Sequence, residues 1–235
     1  MIEKEPAQPE ALAGTAETRA TYSRRKYASP RQLRRQSGIL AAARDMLDEV
    51  GYAGMTMRDL AKRANVAQGT LYNLYENKDA LILAAVVELL DRLAAEALRR
   101  RPRPGIDAIL NMIVVTSEQI VRTPRYAEAM ARCLGNASPG DPLIEQLYRR
   151  TEPLVAEQLA IARDNGELRP EIDLDAVCTH LVAQGWGVIW AWVFGAIPLE
   201  AIIDERIRSY VLTLSGITVG EAQASLRRRL ADLSS

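Results

Sequence analysis

The 235-residue chain is poor in the side chains that do covalent and metal chemistry: it has two cysteines and one histidine, and only one phenylalanine. Each shortage excludes something. Cys133 and Cys178 give no disulfide framework. The lone His180 follows Cys178 by two residues and so points to a different side of one helix, which is poor geometry for a metal site or for a nucleophile and its base. No glycine-rich phosphate cradle occurs, and the acids form no spaced cluster on an otherwise apolar face where paired carboxylates can work. These patterns predict no catalytic residues, no metal and no cofactor. The opening MIEKEPAQPE places acids where a secretory leader has a basic end and an apolar run, and with so little cysteine the expected compartment is the cytoplasm.

Net charge is also lacking, since 30 Lys and Arg balance 30 Asp and Glu. The balance hides a gradient. From Arg19 to Lys78 twelve basic residues stand against five acids, so the remainder of the chain is net acidic. Basic charge gathered at one end is the footprint of a phosphate-contacting segment attached to a region with another task. Residues 1–29 are polar and low in large apolar side chains, and they read as a mobile basic arm ending at Ser29-Pro30, a helix cap followed by a proline suited to a first turn. Arg24, Arg25, Lys26, Arg31, Arg34 and Arg35 in and beside it are suited to phosphates or a minor groove. The alternative is a basic tail that only keeps the segment soluble.

What the chain does have is concentrated in Thr56 to Lys78, TMRDLAKRANVAQGTLYNLYENK. The apolar positions Leu60, Ala61, Val66, Leu71 and Leu74 fit a helix-turn-helix, with the leucines and Val66 inward and Ala61 small enough for close approach of the two helices. Asn65 fits the left-handed residue of the turn, Thr56 a cap for the first helix and Asn77 a cap for the helix that follows the second. The outward face of Ala67 to Leu74 then carries Gln68, Gly69, Thr70, Tyr72 and Asn73, polar and without an acid. Amides pair bidentately with adenine, threonine meets a thymine methyl or a hydroxyl partner, and tyrosine donates to phosphate. Two short amphipathic helices joined by a turn also occur in bundles that never touch DNA, so the pattern alone leaves that reading open.

The residues Gly51-Tyr52, Thr56-Met57, Leu60-Ala61, Val66, Gly69-Thr70-Leu71-Tyr72, Asn77-Lys78-Asp79 and Leu81 together resemble the N-terminal domain of the TetR/AcrR-type one-component transcriptional regulators. The resemblance covers roughly Gln32 to Leu90. Three positions depart from the family pattern: Ala67 stands where Ser or Thr usually caps the recognition helix, Leu74 where His is frequent, and Tyr75 where Phe is usual. The resemblance implies an all-α protein that binds double-stranded operator DNA as a homodimer, holds a small molecule in a larger C-terminal domain, and represses transcription. By their side-chain chemistry Gln68, Thr70 and Asn73 are expected to read bases, and Thr56, Tyr72 and Lys78 to contact phosphates.

Beyond this motif the chain reads as helices, with loops by composition at Gly135 to Asp141 and Asn165 to Arg169. One spans about Pro30 to Val50, with Ile39, Ala43, Met46, Leu47 and Val50 as its stripe and Gly51 closing it; another runs from Asn77 to the break at Pro102, Pro104 and Gly105. The expected organisation is an arm at 1–29, a DNA-binding domain at 30–76, a connecting helix at 77–101, and a ligand-binding and dimerisation domain at 102–235. With no flexible Gly/Ser linker between them, the two domains should be mechanically coupled.

Ala176 to Leu199 carries no charge and is long enough to span a bilayer. His180, Gln184, Gly185 and Gly187 inside it, and acids rather than Lys or Arg just outside both ends, favour burial in a protein over a membrane. The resemblance implies that the last two long helices pair with their copies in a second subunit, using Gly185, Val188, Ile203, Ile207, Tyr210, Val211 and Leu214. Trp186, Trp190 and Phe194 recur at four-residue spacing with His180 near their margin, which suits one wall of a pocket for a small apolar or aromatic effector; Met112, Val115, Met130, Cys133 and Tyr148 suit the opposite walls. Such a stripe also serves as plain core. A DNA-binding architectural or interaction protein with no effector is therefore the second reading, and a filled, dry larger domain would favour it.

Overall fold

The computed structural model describes residues 29–135 and 141–233, apart from the side chains of Cys133, Pro142 and Leu143. The arm residues Arg24, Arg25 and Lys26 and the pocket residue Cys133 therefore lie outside the description. Among the described residues the structure is all-helical, as the sequence pattern predicts: α1 (Pro30–Gly54), α2 (Met57–Arg63), α3 (Gln68–Leu74), α4 (Lys78–Arg99), α5 (Ile106–Arg122), α6 (Pro124–Gly135), α7 (Pro142–Asp164), α8 (Leu174–Val193), α9 (Ile202–Ile217) and α10 (Gly220–Asp232), with a 3-10 turn at Leu199–Ala201. Among the described residues the one β-like feature is a bridge between Leu168 and Thr218.

By its contacts the chain divides at Gly38 and Ile39. In the first part a reciprocal capping box opens α1. The Ser29 amide donates to Gln32 Oε1 at 2.8 Å and the Gln32 amide donates to Ser29 Oγ at 3.3 Å, while Pro30 takes the first helical position, where a missing N–H costs nothing.

In the second part Ile39, Ala43, Met46 and Leu47 of α1, Leu60 and Ala61 of α2, Leu71 of α3 and Leu81 and Ile82 of α4 share one core. Helical geometry in α1 breaks at Gly51 (φ 68°), a left-handed conformation that glycine adopts without a Cβ clash. Val50, expected in the core stripe, is 51% exposed because it lies where the chain leaves that geometry. Leu74 is likewise exposed, and Tyr75 packs against the core in its place, because α3 ends at Leu74 and Tyr75 turns to extended backbone.

The larger region is built around α5. Ile106, Ile109, Leu110 and Ile113 pack with Leu159 of α7, Leu181 of α8 and Val211 and Leu214 of α9. The helix α7 continues through Pro153. By length and composition α8 could cross a membrane, yet Cys178, Leu181, Val182, Gly185 and Ile189 are buried against neighbouring helices. Gly185 is required there. A Cβ at that position would lie 2.6 Å from Tyr210 Oη, and it is Tyr210 that ties α9 to α8 by donating to the Leu181 carbonyl at 2.6 Å.

Candidate functional site

The helix-turn-helix is set by its own end groups. Thr56 Oγ1 accepts the Asp59 amide at 3.1 Å and donates to Asp59 Oδ2 at 2.7 Å, so the cap of α2 uses both hydrogen-bonding capacities of the hydroxyl. The same hydroxyl bond, followed by the nearby Lys62 and Arg58 charges, holds the Asp59 carboxyl below its ordinary pKa. Asn65 adopts φ 51°, the left-handed turn its position calls for. Ala67 starts α3 with no side-chain cap, as the missing hydroxyl predicts. Asn77 Oδ1 accepts the Ala80 amide at 2.8 Å and starts α4 directly after the recognition segment.

These constraints leave Gln68, Gly69, Tyr72 and Asn73 exposed on one side of α3 and Thr70 half-buried beside them, with Leu71 fully buried opposite. Lys78 is half-buried. Its Nζ donates to the Tyr52 carbonyl at 2.5 Å and lies 3.8 Å from the centre of the Tyr52 ring, whose hydroxyl donates to Asp79 at 2.6 Å. A lysine ammonium has three donors, so this arrangement fixes the charge in place and leaves donors for another acceptor. Thr56 is more constrained, because its hydroxyl proton already goes to Asp59.

A cavity of about 450 Å³ lies among α4 to α9. Leu89 and Leu93 of α4, Met112 of α5, Met130 of α6 and Trp186 of α8 are among its walls, so Met112, Met130 and Trp186 of the expected pocket come together there. Four of the other expected members, Val115, Tyr148, His180 and Trp190, are placed elsewhere. Val115 is buried in the core without joining the lining, Tyr148 lies outside the lining, and His180 is exposed on α8. Trp190 packs behind the wall, where its Nε1 donates to the Ala131 carbonyl at 3.2 Å. Because α8 is apolar on nearly every side, periodicity could not say which of its faces turns inward.

Sequence reading missed Arg206 and Tyr126 and gave Tyr210 to a subunit interface; all three line the cavity. A signal for Arg206 was present. Ile202, Arg206, Tyr210 and Leu214 are spaced by four and are all buried, so a charged residue occupies an apolar helical stripe. Of the residues assigned to a subunit interface, Gly185, Tyr210, Val211 and Leu214 are buried inside the protomer, while Val188, Ile203 and Ile207 are half-buried. The four buried ones are occupied in intramolecular packing. The faces of these helices that remain open carry His180, Ala183, Gly187 and, just past its end, Phe194 on α8, and Leu212 and Gly216 on α9.

A sequence-reading helix displayed by a helix-turn-helix, on an all-helical protein with a cavity behind it, defines the class of DNA-binding transcription regulators. Comparison with known proteins narrows the class. The profile of the bacterial regulatory proteins, tetR family, matches residues 39–85. The HTH-type transcriptional regulator UidR of Escherichia coli strain K12 is 30% identical over 177 residues, spanning 74% of this chain and 89% of that protein. A TetR transcriptional regulator from Rhodococcus sp. RHA1 superposes with a TM-score of 0.60 at 26% identity, covering 77% of this chain and 97% of that one. Thermus thermophilus FadR, a TetR-family transcriptional repressor whose structure holds lauroyl-CoA, superposes with a TM-score of 0.60 at 25% identity, over 80% of this chain and 97% of that one. The chain belongs to the TetR family of helix-turn-helix transcriptional regulators, a family of soluble bacterial DNA-binding proteins and not of enzymes.

Proposed function

We propose that the protein is a small-molecule-responsive repressor that acts in the cytoplasm and binds a two-fold symmetric operator as a homodimer. The observation that carries this reading is the single helix α4. It begins at the Asn77 cap immediately after the recognition segment, and its Leu89 and Leu93 form cavity wall, so one rigid element meets both sites. A space of about 450 Å³ falls within the size range of ligand pockets and argues against the effector-free reading, which expects a filled interior. FadR of Thermus thermophilus, a repressor with a bound small molecule, supports both the sign and the effector. Residues 30–76 act as the DNA-binding domain, 77–101 as the connecting helix and 102–235 as the effector and dimer domain.

Gln68, Thr70 and Asn73 read bases, and Tyr72 and Lys78 contact phosphates, with Thr56 contributing only where its hydroxyl exchanges Asp59 for phosphate. The subunit contact uses the open faces of α8 and α9 through Ala183, Gly187, Phe194, Leu212 and Gly216, with the half-buried Val188, Ile203 and Ile207 at its margin. The outward apolar side of α8 thus meets a second copy and not lipid. Selection of bound sequences from random DNA is expected to return an inverted repeat with half-sites about one helical turn, roughly 34 Å, apart. Gln68→Ala should change the base preferred within each half-site. Lys78→Ala should weaken all sequences alike and reduce the salt slope by about 0.9 per lost phosphate contact. A single half-site bound by a monomer, or a salt slope untouched by Lys78→Ala, refutes the corresponding assignment.

A further inference from the structure

The charged and polar groups around the cavity are nearly all satisfied by the protein itself. Asp91 and Arg150, at the rim, pair at 3.2 Å. Gln119 donates to Thr123 at 3.0 Å, Thr151 to the Leu147 carbonyl at 2.8 Å, and Tyr210 to the Leu181 carbonyl. Two buried polar atoms are left over. Arg206 Nε and Tyr126 Oη are both buried, both belong to cavity-lining residues, and neither has a hydrogen-bond partner among the described residues.

Arg206 is the more consequential of the two, because a guanidinium keeps its charge and a buried charge is costly without a counter-ion. The residue is 5% exposed, and no carboxylate pairs with it among the described residues. Its Nη1 donates to Thr116 Oγ1 at 3.0 Å and to Ser117 Oγ at 2.8 Å. Those two hydroxyls are themselves oriented by donating to backbone carbonyls, Thr116 to Met112 at 2.9 Å and Ser117 to Ile113 at 2.6 Å, so they can only accept from the guanidinium. The side chain is therefore held by one nitrogen. Nε makes no hydrogen bond among the described residues, and the edge it forms with Nη2 presents two parallel N–H groups of the spacing that matches a carboxylate. Burial pulls the Arg206 pKa down, in keeping with a cation that has no neutralising partner in the protein.

We propose that the cavity takes a monocarboxylate with an apolar body, and that Arg206 is its specificity-determining residue, receiving the carboxylate on the Nε and Nη2 edge. The apolar body lies against Leu89, Leu93, Met112, Met130 and Trp186, and Tyr126 Oη offers a second donor to a polar substituent on it. An uncompensated cation in this position lowers the stability of the free protein and is compensated when the acid binds, as expected of a residue retained for function over stability. This inference rests on the cavity's being the effector site.

The test uses the full chain, with decanoate and decan-1-ol as matched probes at pH 8, followed by titration calorimetry. Decanoate is expected to bind at least tenfold more tightly than decan-1-ol. Arg206→Met should bring the two affinities within about twofold of each other while leaving decan-1-ol binding unchanged, and Arg206→Lys, charged but without the fork, should give an intermediate preference. Equal binding of the two probes by the wild type, binding of neither, or a preference that survives in Arg206→Met overturns the proposal. Without ligand, Arg206→Met should melt at or above the wild-type temperature. Melting several degrees lower makes Arg206 a structural brace for Thr116 and Ser117 and overturns its assignment as the anchor. Operator titration separates this inference from the reading beneath it: decanoate bound with the expected preference but without effect on operator affinity sinks the effector role alone, whereas operator release by neutral apolar compounds only sinks the carboxylate.

Discussion

The backbone amide of Tyr126 donates to Asp48 Oδ1 at 2.9 Å, joining the start of α6 to α1 of the DNA-binding motif. The same tyrosine is among the cavity-lining residues, so a single residue touches both functional regions. One turn earlier on α1, Arg44 pairs with Glu88 and donates to the Ala85 carbonyl of α4 at 3.4 Å. The inner side of α1 is thus fastened to both α4 and α6, each of which supplies cavity wall. A ligand that displaces either helix has a contiguous physical route to the reading head, and by linkage DNA must act back on the ligand to the same extent.

Removing the acceptor from the first of these links should destabilise the fold. Asp48→Ala is expected to cost about 1.5–3 kcal/mol, the range for a hydrogen bond to a charged group. Asp48→Asn retains an acceptor and should lose less than half as much. Urea denaturation of the two variants side by side checks the ordering, and equal stability of Asp48→Ala and wild type would show that water replaces the contact freely.

The second link is more deeply placed, with the Arg44 side chain only 10% exposed and Glu88 24% exposed. Glu88→Gln leaves the guanidinium without its counter-charge and should lower stability by about 3 kcal/mol. The double variant Arg44→Met with Glu88→Leu should recover most of that loss, because the cost comes from an unpaired buried charge and not from missing attraction. Thermal melts of the single and double variants decide it.

Gly69 sits inside the recognition helix, yet a Cβ built on it meets nothing within 4 Å. Nothing in the protein calls for glycine there, and glycine inside a helix costs roughly 0.5–1 kcal/mol relative to alanine. Gly69→Ala is therefore expected to raise stability by about that amount and at the same time to weaken operator binding, since the remaining reason for the missing side chain is close approach of the helix to DNA. A stabilised variant with unchanged DNA affinity would remove that reason.

Acid sensitivity should trace in part to Glu118. Arg100 donates to it at 2.6 Å and Arg122 at 3.1 Å, and the Arg100 hydrogen bond, outweighing the cost of burial, holds the carboxyl below its ordinary 4.5. With the folded pKa below the unfolded one, the contribution is fully present above about pH 4.5 and is lost as the pH falls through the lower folded value. Glu118→Gln should flatten the stability curve in that acid window by at most about 1 kcal/mol, because the pair is partly screened by solvent. An identical acid limb in the two proteins, measured by denaturation at successive pH values, contradicts the assignment.

The parts of the structure that could be read in advance are those satisfied within a few residues. Thr56, Asn65 and Asn77 take the cap and turn roles their chemistry predicts, because a cap hydrogen bond reaches only to the third residue on and a left-handed turn is a property of one residue. The polar outward side of α3 follows from the same local rules. Leu74 escaped them because its exposure depends on where α3 stops and on Tyr75 filling the core instead.

The sequence by itself determined the helices, the caps and turn of the reading motif, and the family. Tertiary structure alone decided which sides of α8 and α9 turn inward, and with them the whole composition of the cavity. Periodicity marks a helix's apolar stripe only when polar residues bound it, and the α8 run from Ala176 to Leu199 has no charge to do so. His180 and Trp190 could be ruled out of the wall, and Arg206 ruled in, only once several helices had been packed together, because a cavity is a property of their relative rotations and not of any one of them.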